Sequence, residues 1–314
     1  GSVFIYFGRR TWRTGTSFYA STEADVTIAG GTGEFSVARV GSALARVGDF
    51  DGDGLNDVAI GAPGTTNAPS NARGAVLVFR GRRTWPATLL PTAAELIIRN
   101  TDTTVLAFGR YLAGGGRLVG SDTREDLIVG AGSTSQPGAV YAFAGRELNT
   151  PLALLDSDNS FRFNGAAAGA RRWLGGGVGD INGDGRSDLA VGAGAAAGGV
   201  SLFFGNSQGG LTAGPTIAGG PGSTDVFGIN VGSITDPRTV HPSLREPEPT
   251  GAALLVCSES VSGENPRASA YSSRTDWTTA TPTNAETFFS ISAPGGQPIL
   301  TFQWIGDFDG DGFV

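Results

Sequence analysis

The amino-acid sequence predicts an all-β protein made of repeated small sheets. Glycine is abundant, with 51 among 314 residues, and the apolar segments are short and lie between Gly, Pro, Thr and Ser. Segments of that length with turn residues on both sides are typical of strands, whereas helices need longer amphipathic runs. Several of these segments recur along the chain with nearly the same letters. These observations favour a β-sheet repeat protein over a helical or mixed domain.

The first recurring word is a strand followed by glycine. The segment GSVFIYFGRRTW from Gly1 matches GAVLVFRGRRTW from Gly74, and similar words begin at Gly138, Gly198 and Pro266. Their starts are separated by 73, 64, 60 and 68 residues. Solenoid repeats are usually shorter, about 20 to 50 residues, and rarely carry so many strands. We therefore expect about four short strands in each unit, which fits one blade of a β-propeller.

A second word precedes each strand-and-glycine word. It reads DVAIGAPG from Asp57, DLIVGAGS from Asp126 and DLAVGAGA from Asp188, with a degenerate copy from Ala253. Together the words predict a single β-propeller of four-stranded blades over residues 1–314. Five units are visible, at roughly 1–73, 74–137, 138–197, 198–265 and 266–314.

An acidic loop stands directly before the second word. If Asp49 is position 1, further carboxylates fall at Asp51 and Asp53, Leu55 offers a carbonyl at position 7, and Asp57 closes the loop at position 9. Alternate oxygen ligands with intervening glycines suit Ca²⁺, which prefers hard oxygens, better than Zn²⁺. We call Asp49–Asp57 the first acidic loop and predict a calcium site in it.

The same pattern returns twice and is degenerate twice. In the "LVGSDTRED" segment, here the carboxylate-poor loop Leu118–Asp126, only Asp122 and Asp126 stay in register, and a fourth slot runs into an insertion at residues 236–250. We expect calcium in neither. Two complete calcium sites and a third, truncated by the chain end, are predicted. The second acidic loop offers Asp180, Asn182, Asp184, the Arg186 carbonyl and Asp188, and the third offers Asp307, Asp309, Asp311 and the Phe313 carbonyl.

Other interpretations of the acidic loops fit less well. An EF-hand needs a glutamate at position 12 between two helices, but Ile60 and Val191 occupy that position inside predicted strands. Paired catalytic carboxylates are not expected to be copied into alternate repeats. Plain solvated acidic turns remain an alternative to calcium binding.

These motifs resemble the FG-GAP repeats of integrin α-subunit β-propellers and their bacterial relatives. The resemblance rests on Phe108-Gly109 and Phe227-Gly228, on the DxDGDGxxD loop, and on Gly61-Ala62-Pro63. It implies a seven-bladed ring, of which the five units here would be part, with calcium in some blades. It also implies a role in adhesion or protein assembly outside the cell. Gly-Ala-Pro becomes Gly-Ala-Gly in two later units and Cys-Ser-Glu in the fourth.

Composition narrows the range of partners. The net charge is −7, no lysine is present, and no basic stripe suggests nucleic acid. No apolar run approaches the roughly 18 residues of a membrane span. The predicted location is extracellular or at the cell surface. The arginine bias, typical of a high-GC genome, together with the bacterial relatives favours a bacterial source.

The remaining candidate residues favour a non-enzyme. His241 lies in the proline-rich insertion without a nucleophile beside it, and Cys257 lies in an apolar strand-like run. The predicted partner is a protein or a cell-surface or matrix ligand. Two alternatives stay open: a glycan-binding propeller using Trp12, Trp85 and Trp277, and a targeting domain of a larger secreted enzyme.

Overall fold

The structure is a computed structural model. It describes residues 1–7, 21–31, 33–67, 72–133, 136–149, 151–165, 173–193, 199–218, 226–234, 253–259, 267–271, 276–278 and 287–290. Within these ranges the regular elements are twenty β-strands and four single-turn 3-10 segments, and no α-helix occurs there. The 3-10 segments are Ser21–Glu23, Gly33–Phe35, Pro91–Ala93 and Asp156–Asp158.

Most strands are short, as the turn-rich sequence predicts. In chain order they are β1 Ser2–Ile5, β2 Val26–Ala29, β3 Leu44–Gly48, β4 Asp57–Asn67, β5 Ala72–Phe79, β6 Thr88–Leu89, β7 Leu96–Arg99, β8 Tyr111–Gly116, β9 Asp126–Ser133, β10 Gln136–Phe143, β11 Leu152–Leu155, β12 Phe161–Asn164, β13 Trp173–Gly179, β14 Asp188–Ala193, β15 Gly199–Gly205, β16 Leu211–Ala218, β17 Val226–Ile234, β18 Ala253–Glu259, β19 Arg267–Tyr271 and β20 Thr287–Ser290.

The strands form successive antiparallel sheets along the chain. Four antiparallel strands make each of the sheets β3-β4-β5-β7, β8-β9-β10-β12, β13-β14-β15-β16 and β17-β18-β19-β20, and β1 pairs with β2. Two sheets gain a parallel strand from the segment that joins the third and fourth strands of the next sheet. β6, between β5 and β7, pairs with β2, and β11, between β10 and β12, pairs with β7. The predicted all-β fold of four-stranded β-propeller blades is confirmed.

Each sheet draws its strands from two consecutive sequence units. β3 and β4 precede residue 74, whereas β5 and β7 follow it. The acidic loop therefore joins the first two strands of a sheet, and the strand-and-glycine word supplies the third.

Hydrophobic clusters lie between neighbouring sheets. Val76 and Val78 face the cluster shared with the β8-β9-β10-β12 sheet, while Leu77 and Phe79 face the cluster shared with β1 and β2. All four side chains are fully buried. Because β5 is covered on both faces, its sequence is apolar throughout and shows little alternation.

The first strands of successive sheets contact one another, and glycine permits their close approach. A Cβ on Gly114 of β8 would lie 2.7 Å from the carbonyl oxygen of Arg46 in β3, and one on Gly177 of β13 would lie 2.7 Å from that of Gly115. Such low-propensity segments are weak strand signals in a sequence. The sequence did not predict these strands, yet they hold the acidic loops in place.

Candidate metal-binding loops

A bulged glycine begins each of three loops, and a buried aspartate ends it. In every case the first strand stops at a glycine with positive φ that pairs, after a register shift, with the closing aspartate of the second strand. Glycine adopts this backbone conformation without the penalty of a side chain. The pairs are Gly48 with Asp57, Gly116 with Asp126, and Gly179 with Asp188.

The closing aspartate of the first acidic loop binds three backbone amides. Asp57 Oδ2 accepts hydrogen bonds from the N–H groups of Phe50 at 3.0 Å and Asp51 at 3.3 Å, and Oδ1 accepts one from Gly81 at 2.7 Å. The residue is fully buried. Burial raises the pKa of Asp57 to about 6, although its N–H donors oppose the shift.

Asp126 repeats all three of these contacts, and Asp188 repeats two of them. Asp126 accepts bonds from Leu118, Val119 and Gly145, and Asp188 accepts bonds from Ile181 and Gly205. Burial raises the pKa of Asp126 to about 6 and that of Asp188 to about 7. Because Asp126 closes the carboxylate-poor loop, this hydrogen bonding does not depend on an ion site.

The first acidic loop is folded around its remaining carboxylates. Asp49 accepts bonds from the N–H groups of Gly52 at 2.8 Å and Gly54 at 3.0 Å, and both glycines have positive φ. Carboxylate oxygens of Asp49, Asp51 and Asp57 all lie within 4.8 Å of one another. Within the described residues this is the one group of three acidic side chains that could hold a metal ion.

An arginine that the sequence interpretation missed also contacts this loop. Arg80, at the end of β5, pairs through Nε with Asp51 Oδ2 and through Nη2 with Asp53 Oδ2 at 2.8 Å. Asp53, a predicted ligand, is thus engaged by the guanidinium and lies outside the trio. Leu55, the predicted carbonyl ligand, donates its N–H to Asp53. The sequence does distinguish this position, because the strand-and-glycine word has arginine at Arg80 but apolar residues, Ala144 and Phe204, at the same place in the next two units.

The second acidic loop has the same backbone but a different contact at the fifth position. Asp180 accepts bonds from Gly183 and Gly185, which have positive φ. The amide nitrogen of Asn182 donates to Asp184 Oδ2 at 3.1 Å, the carboxylate that corresponds to Asp53. Arg186 donates its N–H to Asp184 as Leu55 does to Asp53.

The carboxylate-poor loop differs where the first ligand would stand. Arg117 follows its bulged glycine, whereas Asp49 and Asp180 follow the others, and the loop is one residue longer. Asp122 pairs with Arg124 at 2.9 Å. Oxygen ligands for calcium are therefore scarce here.

This loop instead binds the backbone of the first acidic loop in the neighbouring sheet. Arg124 Nε donates to the carbonyl of Asp51 at 3.2 Å, and the N–H of Glu125 donates to the carbonyl of Asp49 at 3.1 Å. The N–H of Arg146 donates to the carbonyl of Phe50 at 2.8 Å. The carboxylate-poor loop is thus a contact between two sheets.

The tryptophans proposed for glycan stacking occupy different environments. Trp277 is buried against residues of the β13-β14-β15-β16 sheet and donates its Nε1–H to the carbonyl of Ile181 at 3.0 Å. Trp85 is half-buried, and the Arg82 guanidinium lies 5.2 Å from its ring centroid. This distance is within the range of a cation–π contact.

Several predicted features lie outside the described residues. They are the third acidic loop with Asp307, Asp309, Asp311 and Phe313, as well as Trp12, His241 and the insertion at 236–250. Cys257 lies in β18, as its apolar context predicts, but its side chain is outside the described part.

The comparison with protein families identifies the repeated unit. Residues 40–79 and 173–203 match the family model described as FG-GAP repeat. The chain carries FG-GAP repeats. The two matched segments contain the first and second acidic loops, and the FG-GAP match omits the carboxylate-poor loop.

Integrins and a phospholipase are also similar to parts of this chain. Human integrin alpha-IIb is 35% identical over 128 residues, which cover 41% of this chain and 12% of the integrin. Human integrin alpha-8 is 36% identical over 110 residues, 35% of this chain and 10% of that protein. The phosphatidylinositol-glycan-specific phospholipase D of Dictyostelium discoideum is 31% identical over 178 residues, 46% of this chain and 18% of the relative. The chain thus spans less than a fifth of each of these relatives.

Within the described residues, no helix has the length and apolar character needed to cross a membrane.

Proposed function

We propose that this chain is a non-catalytic, calcium-stabilised extracellular β-propeller module that serves in adhesion or protein assembly. In this proposal, calcium binds the first and second acidic loops, and a protein or a cell-surface or matrix ligand is the partner. The five units over residues 1–314 belong to a ring of seven blades, as the resemblance to integrin propellers implies.

The observation that carries the calcium part is the arrangement of Asp49, Asp51 and Asp57. Their oxygens converge in a loop whose backbone is already held by internal hydrogen bonds. Oxygen ligands from clustered carboxylates suit Ca²⁺. Burial also raises the pKa of Asp51, although Arg80 opposes the shift, so a bound cation would favour its ionised form.

The adhesion part is supported by the integrin similarity, which extends over 41% of the chain for alpha-IIb. The phospholipase similarity supports a second candidate, in which the propeller is an accessory domain of a larger secreted enzyme. The sequence of the complete gene would distinguish these two. Support for glycan binding is reduced because Trp277 is buried and hydrogen-bonded.

Thermal unfolding with calcium and with EDTA tests the proposal. We expect calcium to raise the melting temperature, since an ion at 100 times its dissociation constant stabilises a folded protein by about 2.7 kcal/mol. The double variant Asp49→Asn with Asp180→Asn should lose most of this increase, because each change removes the first-position carboxylate from one loop. Asp122→Asn, in the carboxylate-poor loop, is the matched control and should respond like the native chain.

Far-UV circular dichroism in EDTA shows whether each variant keeps its sheets. An identical midpoint of the native chain in calcium and in EDTA would overturn the calcium part. A calcium response that survives in the double variant would place the ion elsewhere.

A further inference from the structure

The first and second acidic loops differ in how their carboxylates are balanced. The first has aspartate at its third position, Asp51, and the arginine Arg80 beside it, whereas the second has Asn182 and Phe204 at the corresponding places. Four carboxylates with one guanidinium carry the same formal charge as three carboxylates. The extra negative charge and the extra positive charge therefore occur together.

The two loops also satisfy the fifth-position carboxylate by different donors. Arg80 Nη2 donates to Asp53 Oδ2 at 2.8 Å, and the amide nitrogen of Asn182 donates to Asp184 Oδ2 at 3.1 Å. Asparagine can do this while remaining neutral. Arginine brings a full positive charge to the place where a cation would be coordinated.

Arg80 and Asp51 depend on each other. Asp51 Oδ2 and Arg80 Nε are both buried, and apart from their ion pair neither atom has a hydrogen-bond partner. The Asp51 side chain is only 2% exposed. Removing the partner of a buried charge is costly, so the guanidinium is the counter-ion that this carboxylate needs when no metal is present.

We propose that Arg80 is an internal counter-ion of the first acidic loop, which holds Asp51 and Asp53 when no ion is bound and thereby lowers the affinity of this loop for calcium. To use both carboxylates as ligands, calcium must displace the guanidinium from their Oδ2 atoms. In the part of the chain that the structure describes, no guanidinium pairs with the carboxylates of the second acidic loop, where Phe204 stands in place of Arg80. The first loop thus folds with little dependence on calcium and binds it more weakly than its carboxylate number suggests.

This inference rests on the proposed calcium binding. Its test is isothermal titration of the calcium-depleted full chain with CaCl₂, in an Asp180→Asn background that disables the second loop. Arg80→Gln should lower the dissociation constant of the first loop about threefold or more, because an opposing charge is removed at close range. Arg80→Lys, which keeps the charge, should remain close to Arg80.

Arg82→Gln is the matched control. Arg82 lies two residues away and pairs with Glu95, and its Nε–H donates to the backbone carbonyl of Arg80 at 3.4 Å. Its loss therefore removes an ion pair and a backbone contact beside Arg80 but leaves the pairing of the Arg80 guanidinium with the loop carboxylates in place. The calcium dissociation constant of Arg82→Gln should equal that of the Asp180→Asn background chain.

Thermal unfolding supplies a readout that a purely structural role of Arg80 would not give. Arg80→Gln should lower the melting temperature in EDTA, where Asp51 and Asp53 lose their counter-ion, and the deficit should shrink or reverse in calcium. An equal deficit in both conditions, or equal dissociation constants for Arg80→Gln and its background, would overturn the inference alone. An absence of calcium binding in every variant would overturn the proposed calcium site together with it.

Discussion

The first acidic loop and the carboxylate-poor loop share one framework and differ in what it holds. Both begin at a bulged glycine and end at a buried aspartate that accepts hydrogen bonds from two amides of its loop and from the glycine after the third strand. Beyond that framework, the first loop concentrates carboxylates, whereas the other presents Arg124 and Glu125 to the neighbouring sheet.

This comparison separates two roles that the DxDGDGxxD pattern combines. The closing aspartate organises the turn between two strands, since it is kept where the other carboxylates are lost. The carboxylates at the first and third positions of the first acidic loop converge with this closing aspartate to form the candidate ion site. In the carboxylate-poor loop, the same turn is a contact between two sheets.

The largest effect should follow from removing a closing aspartate. Asp126→Ala and Asp57→Ala each leave three backbone N–H groups without their acceptor in a buried site. We expect each to lower the free energy of unfolding by on the order of 3 kcal/mol in EDTA. Urea denaturation followed by circular dichroism measures it.

The two variants should differ when calcium is added. Asp57→Ala also alters the ion site and should lose part of the calcium response, whereas Asp126→Ala should keep its full response. Asp122→Asn, an exposed carboxylate of the same loop, should cost less than 1 kcal/mol. A fully stable Asp126→Ala protein would contradict the proposed role of the framework.

A smaller effect concerns pH, because burial raises the pKa of all three closing aspartates, to about 6 for Asp57 and Asp126 and about 7 for Asp188. Their folded-state pKa values exceed the value of 3.8 expected in the unfolded chain. The proton-linked part of their stability is therefore complete below about pH 4 and is lost as pH rises through 6 to 7, whereas the amide hydrogen bonds to the ionised carboxylates remain. In EDTA we expect the free energy of unfolding to fall between pH 5 and pH 8, by about 1.4 kcal/mol or more for each closing aspartate.

Calcium should stabilise the protein more at high pH than at low pH. Ligands must lose their protons to bind an ion, so the calcium-induced rise in melting temperature should be larger at pH 8 than at pH 5. Differential scanning fluorimetry across this range, with EDTA and with calcium, measures both trends. A melting temperature in EDTA that rises steadily from pH 5 to pH 8 would contradict the expected sign.

The sequence predicts the all-β fold well because each acidic loop and each strand-and-glycine word carries a local signal. The first strand of each sheet was missed, since segments such as YLAGGG have low strand propensity. Their glycines are explained only by the close approach of a neighbouring strand, as at Gly114 and Gly177. That approach depends on tertiary structure and leaves no periodic pattern.

The sequence predicts only part of the candidate site, because some of its contacts also depend on tertiary structure. The carboxylates of the first acidic loop are adjacent in sequence, and their spacing alone suggests convergence. Arg80 stands 27 residues after Asp53, so its contact becomes visible only when β5 is placed beside the loop. The hydrogen bonds of Asp126 leave no sequence signal either, because their donors are backbone amides of Leu118, Val119 and Gly145.

The smallest expected effect comes from Arg124, the second guanidinium that contacts Asp51. Arg124 donates to the backbone carbonyl of Asp51 and pairs with Asp122 and Glu147 at the partly exposed junction between the sheets. Arg124→Gln should lower the free energy of unfolding by about 0.5 to 1 kcal/mol, since such exposed pairs contribute little. Because it leaves the Asp51 carboxylate untouched, its calcium dissociation constant should match that of the native chain, in contrast to Arg80→Gln. Calcium titration of the two variants side by side measures this difference in dissociation constant. Tighter calcium binding by Arg124→Gln would contradict the prediction, because it would show that any positive charge near the loop, and not the ion pair of Arg80 alone, sets the affinity.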